Sequence, residues 1–370
     1  MSEITDSKNK KDHIYFLDHA RVTACVLVLL VHVSAVWLDK EPVGSAGAFF
    51  VLSCNILAFT GVSLYVMISG ALALSKTREA HVHTYIMKSL RLLGLWLLWK
   101  VLYRLVDMLE LKAAGTAIDW KEDFFIQLVS KPGHYHLWFL TMLAFVYLMV
   151  PLIKKGCEKK ENCILYIVVF TLVSIFFPTL FLFDFPFRYL LEDFYNIFDV
   201  AYFAGYIGYF ILGHFLLQHT DKEKKNVVFI LLWVAAVVSF VIACVSGSAR
   251  SFAEGVTCTL FSTPFSIHCI LLSMAVFLLF KKVVKTDEAE DRTVLEKQDK
   301  KHSIMIQLSV ATLGVYLIHP FILDMMIRAG YFSVLGNVWT GLPVMLLLLT
   351  LISFIAALLL RKIPFINKVL

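Results

Sequence analysis

Long apolar runs alternate with short polar connectors from near the start of the chain to its end. A membrane-spanning helix needs about 20 mostly apolar residues, and ten runs qualify, near 16–38, 48–74, 86–109, 136–153, 163–183, 199–218, 226–246, 257–280, 305–328 and 337–360. They fill the sequence and leave no soluble domain of useful size. The expected fold is therefore all-α, a polytopic membrane helix bundle of about ten transmembrane helices forming a single domain over 1–370. Residues 1–15 form a polar N-terminal segment, and 281–304 form a mixed-charge connector with few apolar positions, expected to be flexible. Within 119–135, Trp120, Phe124, Phe125 and Leu128 fall at helical spacing, which predicts a short helix lying on the membrane surface.

Composition strengthens this picture. Hydrophobic residues make up 59% of the chain and charged residues 17%, respectively above and below the shares of an ordinary soluble domain. The first apolar run is too long for a signal-peptide core and lacks a small-residue cleavage site, so it is expected to remain as an anchor. Of the Lys and Arg residues, 24 fall in the N-terminus, alternate connectors and C-terminus, against 7 in the remaining connectors. By the positive-inside bias both termini are expected in the cytoplasm, and the net charge of +6 reads as topology. No nucleic-acid partner is expected. The seven cysteines form no CxxC pair and mostly fall in spans, so they read as core thiols, with neither a disulfide framework nor a metal site.

Ionisable residues inside a span are costly and mark function by default. The first run carries three: Asp18, Arg21 and His32. Eleven residues separate Arg21 from His32, which returns to within roughly 20° of the same helix face and about 16 Å further along it. Asp18 stands three positions before Arg21, where its carboxylate can orient the guanidinium. The plain alternative is that Asp18 and Arg21 snorkel to the inner interface and His32 is a core histidine.

Further candidates lie along the chain. The Ser69–Gly70 step near the end of the second run admits a close helix or ligand approach, and packing explains it equally well. Lys76, Arg78, Lys88 and Arg91 in the following basic stretch fit either positive-inside charge or a phosphate clamp. Lys100, Arg104 and Asp107 fall on i,i+3 and i,i+4 spacings at which they can pair. His134, His136 and Trp138 stand at the outer mouth of the fourth run, while Asp184, Glu192, Asp193 and Asp199 form an acidic rim in the next outer connector. His214 and His268 are isolated and read as core histidines. Tyr316, His319 and Pro320 fall together in the ninth run, with His319 at the depth of His32, and the proline breaks one helical hydrogen bond.

Several of these stretches together resemble the integral membrane acyltransferase 3 family. The resemblance rests on LDHAR followed by LLVHVS, which sets Arg21 and His32 in an Arg-x10-His pattern, on YVMISGALAL in the second run, on KSLRLLGLW in the third, on HLWFL at 136–140 and on LGVYLIHPF at 314–321. Where many relatives have Arg-Gly, this chain has Arg21 followed by Val22. It shows no appended esterase-like domain, and its HLWFL and YLIHP segments look most like the O-acetyltransferases of surface-polysaccharide precursors.

The resemblance implies transfer of an acyl group, acetyl by default, from cytoplasmic acetyl-CoA to a hydroxyl of a surface glycan or lipid-linked saccharide, in the cell (inner) membrane. On this reading His32 is the general base, with Arg21 and Asp18 completing the catalytic group. Arg21, Lys88, Arg91 and Ser69 then bind the donor, while His136, Trp138, Tyr316 and His319 border the acceptor. Direct transfer and an acyl-histidine relay both remain open. Membrane lipids are the other expected partners, and self-association into a homo-oligomer is left open. The rival class is a secondary transporter or polysaccharide exporter, because charges on a stripe in such a bundle also describe a substrate path. Transporters often carry repeated halves, and the YVMISG and YLIHP segments do not correspond.

Overall fold

A computed structural model describes residues 14–75, 81–131, 133–183, 185–198, 200–220, 226–284 and 292–363. The N-terminal lysines, Lys76, Arg78, Asp184 and Asp199 lie outside these residues. Among the described residues every regular element is helical. Seven segments are long and apolar enough to cross a membrane: Tyr15–Leu38, Ala46–Ala73, Trp138–Gly156, Lys160–Leu180, Asn226–Glu254, Ser303–Arg328 and Val338–Leu360. The other three expected spans are also helices, so the apolar runs located a helix at all ten positions.

In chain order the helices are α1 (Tyr15–Leu38), α2 (Ala46–Ala58), α3 (Thr60–Ala73), α4 (Val82–Ala113), α5 (Gln127–Ser130), α6 (Trp138–Gly156), α7 (Lys160–Phe170) and α8 (Phe177–Leu180). They continue as α9 (Arg188–Phe198), α10 (Val200–His219), α11 (Asn226–Glu254), α12 (Ile267–Val283), α13 (Arg292–Arg328), α14 (Tyr331–Leu335) and α15 (Val338–Leu360). The second expected span is thus two helices, α2 and α3, meeting at Phe59.

Helix α1 joins two halves of the core. Its first half, through Phe16, Leu17, Ala20 and Ala24, packs on α3 and α12 in a buried cluster that continues into α6 and α10. Its second half, through Cys25, Leu29, Val33 and Trp37, packs on α2, α13 and α15 in a cluster that continues into α11. Buried Asn55 on α2 fastens the second half, its Nδ2 donating to Ser34 Oγ at 2.9 Å and Val31 O at 3.3 Å. On the outside, Val227, Val234, Val238 and Val245 of α11 are exposed, as a lipid-facing surface requires.

Three expectations change. The connector 281–304 is not one flexible segment: Lys281–Val283 complete α12, and the chain is helical again from Arg292. The Glu, Lys and Gln content of that stretch favours helix once it continues an apolar span. The acidic outer connector also contains a helix, α9, on which Arg188 Nε bonds Glu192 Oε2 at 3.3 Å. The surface helix after 119 is largely π-helical, over Trp120–Ile126, and Asp119 caps it by accepting from Lys121 N at 2.9 Å. Its exposed face carries Trp120, Phe125, Ile126 and Val129, while Phe124 and Leu128 turn inward.

Candidate active site

At one end of the bundle α1, α13 and the turn before α6 bring a group of rings together. The His32 ring lies 5.0 Å from that of His319 and 4.9 Å from that of Tyr135, between centroids. His136 lies 5.5 Å from His319 and 5.2 Å from Tyr316. Behind them Tyr103 of α4 stacks on His134 at 4.3 Å. Residues almost 300 positions apart in sequence therefore share one site because α1 and α13 run side by side in the same direction, Arg21 meeting Ser309 and His32 meeting His319. The His134-Tyr135-His136 turn follows Gly133, whose φ of +96° is a left-handed conformation that favours glycine.

Backbone groups fix the rings. His319 Nδ1 lies 3.2 Å from Val315 O, and a carbonyl only accepts, so Nδ1 carries the proton and neutral His319 has its lone pair on Nε2. The Tyr316 hydroxyl donates to His136 O, and the Tyr103 hydroxyl donates to Leu317 O at 2.9 Å. Pro320, with no N–H, removes the bond that the Tyr316 carbonyl would otherwise accept. His134 Nδ1 and His136 Nδ1 are 3.0 Å apart, one protonated and the other not. His136 Nε2 and His319 Nε2 are buried with no hydrogen-bond partner among the described residues. Leaving such an atom unpaired costs about 1–3 kcal/mol.

A cavity of about 180 Å³ opens on this cluster, lined by His32, His136, Trp138, Phe139, Tyr316 and Tyr65. Phe59, at the junction of α2 and α3, also faces it. His319 stands behind His32. Tyr65 was not singled out from the sequence, although it opens the YVMISG stretch. Its hydroxyl lies beside Cys25 and Thr312, within electrostatic reach of Arg21. Tyr65 thus lines the cavity and feels the charge of Arg21.

The expected donor residues are arranged differently. Arg21 Nη1 donates to Ser309 Oγ at 3.1 Å, across to α13. Asp18 is buried. Lys88 sits on a separate helix with its ammonium 4.8 Å from the Tyr85 ring, and Arg91 beyond it is exposed. Ser69 Oγ donates to Tyr65 O at 2.9 Å. Beside it, a Cβ on Gly70 would lie 1.8 Å from Phe210 O, and one on Gly213 would lie 2.0 Å from Met67 O. The Ser-Gly step is thus a close crossing of α3 and α10, as packing requires.

Of the remaining candidates, His268 Nε2 pairs with Ser266 Oγ at 3.2 Å and His214 is buried in the core. All seven cysteines are free thiols. Among the described residues no three His, Cys, Asp or Glu side chains are grouped to hold a metal ion. Tyr103 and Asp324, the latter 3.8 Å from His134 Nε2, were missed as site residues. Tyr103 was detectable, being in register with Lys100 and Asp107 on one face of α4.

A family model described as an acyltransferase domain matches residues 14–362 of the chain. No curated protein and no solved structure matches it.

Proposed function

With a match over nearly its whole length, the chain belongs to the acyltransferase 3 family, and on that premise we propose that it moves an acyl group, acetyl by default, from acyl-CoA to a hydroxyl of a surface glycan or its lipid-linked precursor. Charge distribution along the connectors supports a cytoplasmic N-terminus and C-terminus in the cell membrane. Arg21 then lies toward the compartment of the donor, and His32 toward the acceptor.

The observation that carries the reading is the 180 Å³ cavity with His32 in its wall and Arg21 about 16 Å away on the same helix. A hollow of this size takes a small acyl group and an attacking hydroxyl. His32 accepts the hydroxyl proton as the oxygen bonds to the thioester carbonyl carbon. The C–S bond then breaks, the ester leaves toward the acceptor side, and the proton passes from His32 to the departing thiolate, so that atoms and charge balance. Positioned proton transfer of this kind contributes about 10² to 10⁴ in rate. His319 backs the His32 ring, and Tyr316, His136 and Trp138 border the acceptor. Arg21, with its planar fork, suits a phosphate of the donor, aided by Lys88 and Arg91.

The test is release of free CoA from acetyl-CoA by purified protein in liposomes with a cell-derived glycan acceptor, followed by mass spectrometry of that glycan. Thioester consumption and a gain of one acetyl group are expected. Glycan movement with the thioester intact would replace this reading with transport.

A further inference from the structure

Beside the histidine rings, and separate from the smaller cavity, lies a second hollow of about 470 Å³. Lys100, Arg104 and Asp107 of α4, with Lys131, His134 and Tyr135, line it, so three cations face one carboxylate. Tyr135 lines the hollow and also touches the His32 ring, 4.9 Å away between centroids, so one side chain links the hollow to His32.

The charges around the hollow are not balanced. Arg104 is engaged within the protein, its Nε donating to Asp123 O and its Nη1 standing 3.5 Å from Asp107 Oδ2. Lys100 is not so engaged. The residue is only 7% exposed, and Gly133 packs against its stem. Its ammonium stands 4.8 Å from the centre of the Trp96 ring, and among the described residues no carboxylate pairs with it. Burying an ammonium against a ring face without a counter-ion is costly. Lys131 adds a second positive charge on the exposed bend at the rim. The opposite wall is the segment whose outer face exposes Trp120 at 60%, Phe125 at 61% and Val129 at 83%, a surface suited to the lipid headgroup layer.

We propose that this hollow seats an anionic group of the acceptor, a phosphate or a carboxylate, held by Lys100 and Lys131 so that a neighbouring hydroxyl reaches His32. The placement of that hydroxyl rests on the acyl-transfer reading; the binding of the anion does not.

Binding is therefore measured without turnover, by thermal stabilisation of the full chain in detergent. The probes are a short polyprenyl phosphate, the same polyprenol without phosphate, and glucuronate. At least one anionic probe is expected to bind, with the neutral polyprenol at least about tenfold weaker, as loss of a charge-assisted contact implies. Preference for the polyprenyl phosphate identifies a lipid-borne phosphate, and preference for glucuronate identifies an acidic sugar. Lys100→Met is expected to weaken the anionic probe by about tenfold or more, while Lys100→Arg stays within about threefold. If Lys100→Met does not fold, Lys131→Gln at the exposed rim decides, with an expected weakening of about threefold.

No binding of either anion, equal binding of the neutral polyprenol, or unchanged affinity in the deciding variant overturns the proposal. In turnover, Lys100→Met raises KM for the acceptor and leaves KM for acetyl-CoA unchanged. Failure of the acyl-transfer reading would show separately, as absence of CoA release from every variant while the binding pattern stood.

Discussion

The two ends of the α1 stripe are built in opposite ways. At the His32 end, rings from α1, α13, α4 and the turn before α6 interlock, backbone carbonyls fix their orientations, and two buried histidine nitrogens are left unpaired. At the Arg21 end the cations are dispersed, each on partners of its own. Arg21 bonds Ser309, Lys154 bonds Ser75 O at 2.8 Å, and Lys281 caps α10 through Leu216 O, Leu217 O and Thr220 O. The difference separates two tasks. On the proposed reading, proton transfer takes the end whose geometry is fixed before substrate arrives, and the donor takes the end where cations stand on separate helices.

Replacing His32 by alanine is the strongest challenge to this contrast. It is expected to reduce CoA release by about 10² to 10⁴ while leaving membrane insertion unchanged, and full activity would remove the preorganised end from the account. Arg21→Ala comes next. It is expected to raise KM for acetyl-CoA by about tenfold to a hundredfold, as loss of a charged hydrogen bond implies. An unchanged KM would mean that the donor is gathered without α1.

Gly70→Val separates packing from chemistry, since its side chain would collide with the α10 backbone. It is expected to cost about 1–3 kcal/mol and lower the melting temperature, with the ratio of the two KM values unchanged. A shift in KM for the donor alone would restore a binding role to the Ser69–Gly70 step. Tyr103→Phe, which removes the bond to Leu317 O, is the mildest. A loss of about 1 kcal/mol is expected, measured as a small drop in melting temperature with a modest fall in kcat.

The helices were legible because apolar runs of span length have few other interpretations, and each of the ten predicted a helix. What the runs hid were interruptions. The break at Phe59 and the π-helical turn at Thr171–Phe176 fall inside unbroken apolar sequence. His32, His136, Tyr316 and His319 were recognisable as costly or motif-bearing residues, and they do share one cluster. Their mutual geometry was not recognisable, because it depends on the parallel course of α1 and α13. Spacing within one helix says which groups can meet, but it could not show Ser309 arriving from another helix to bond the Arg21 guanidinium. Tyr103 was legible only through its register with Lys100 and Asp107, because tyrosine in a span usually marks an interface.

The pairing of α1 with α13 also sets an order of events during synthesis. His32 enters the membrane with the first span, and His319 follows 287 residues later, a delay on the order of 15–60 s at typical elongation rates. For that interval the first helix carries its arginine and histidine without the helix that later shields them. A ribosome that stops before α13 therefore releases a membrane protein whose Arg21 and His32 lack Ser309 and His319, the groups they meet in the finished bundle.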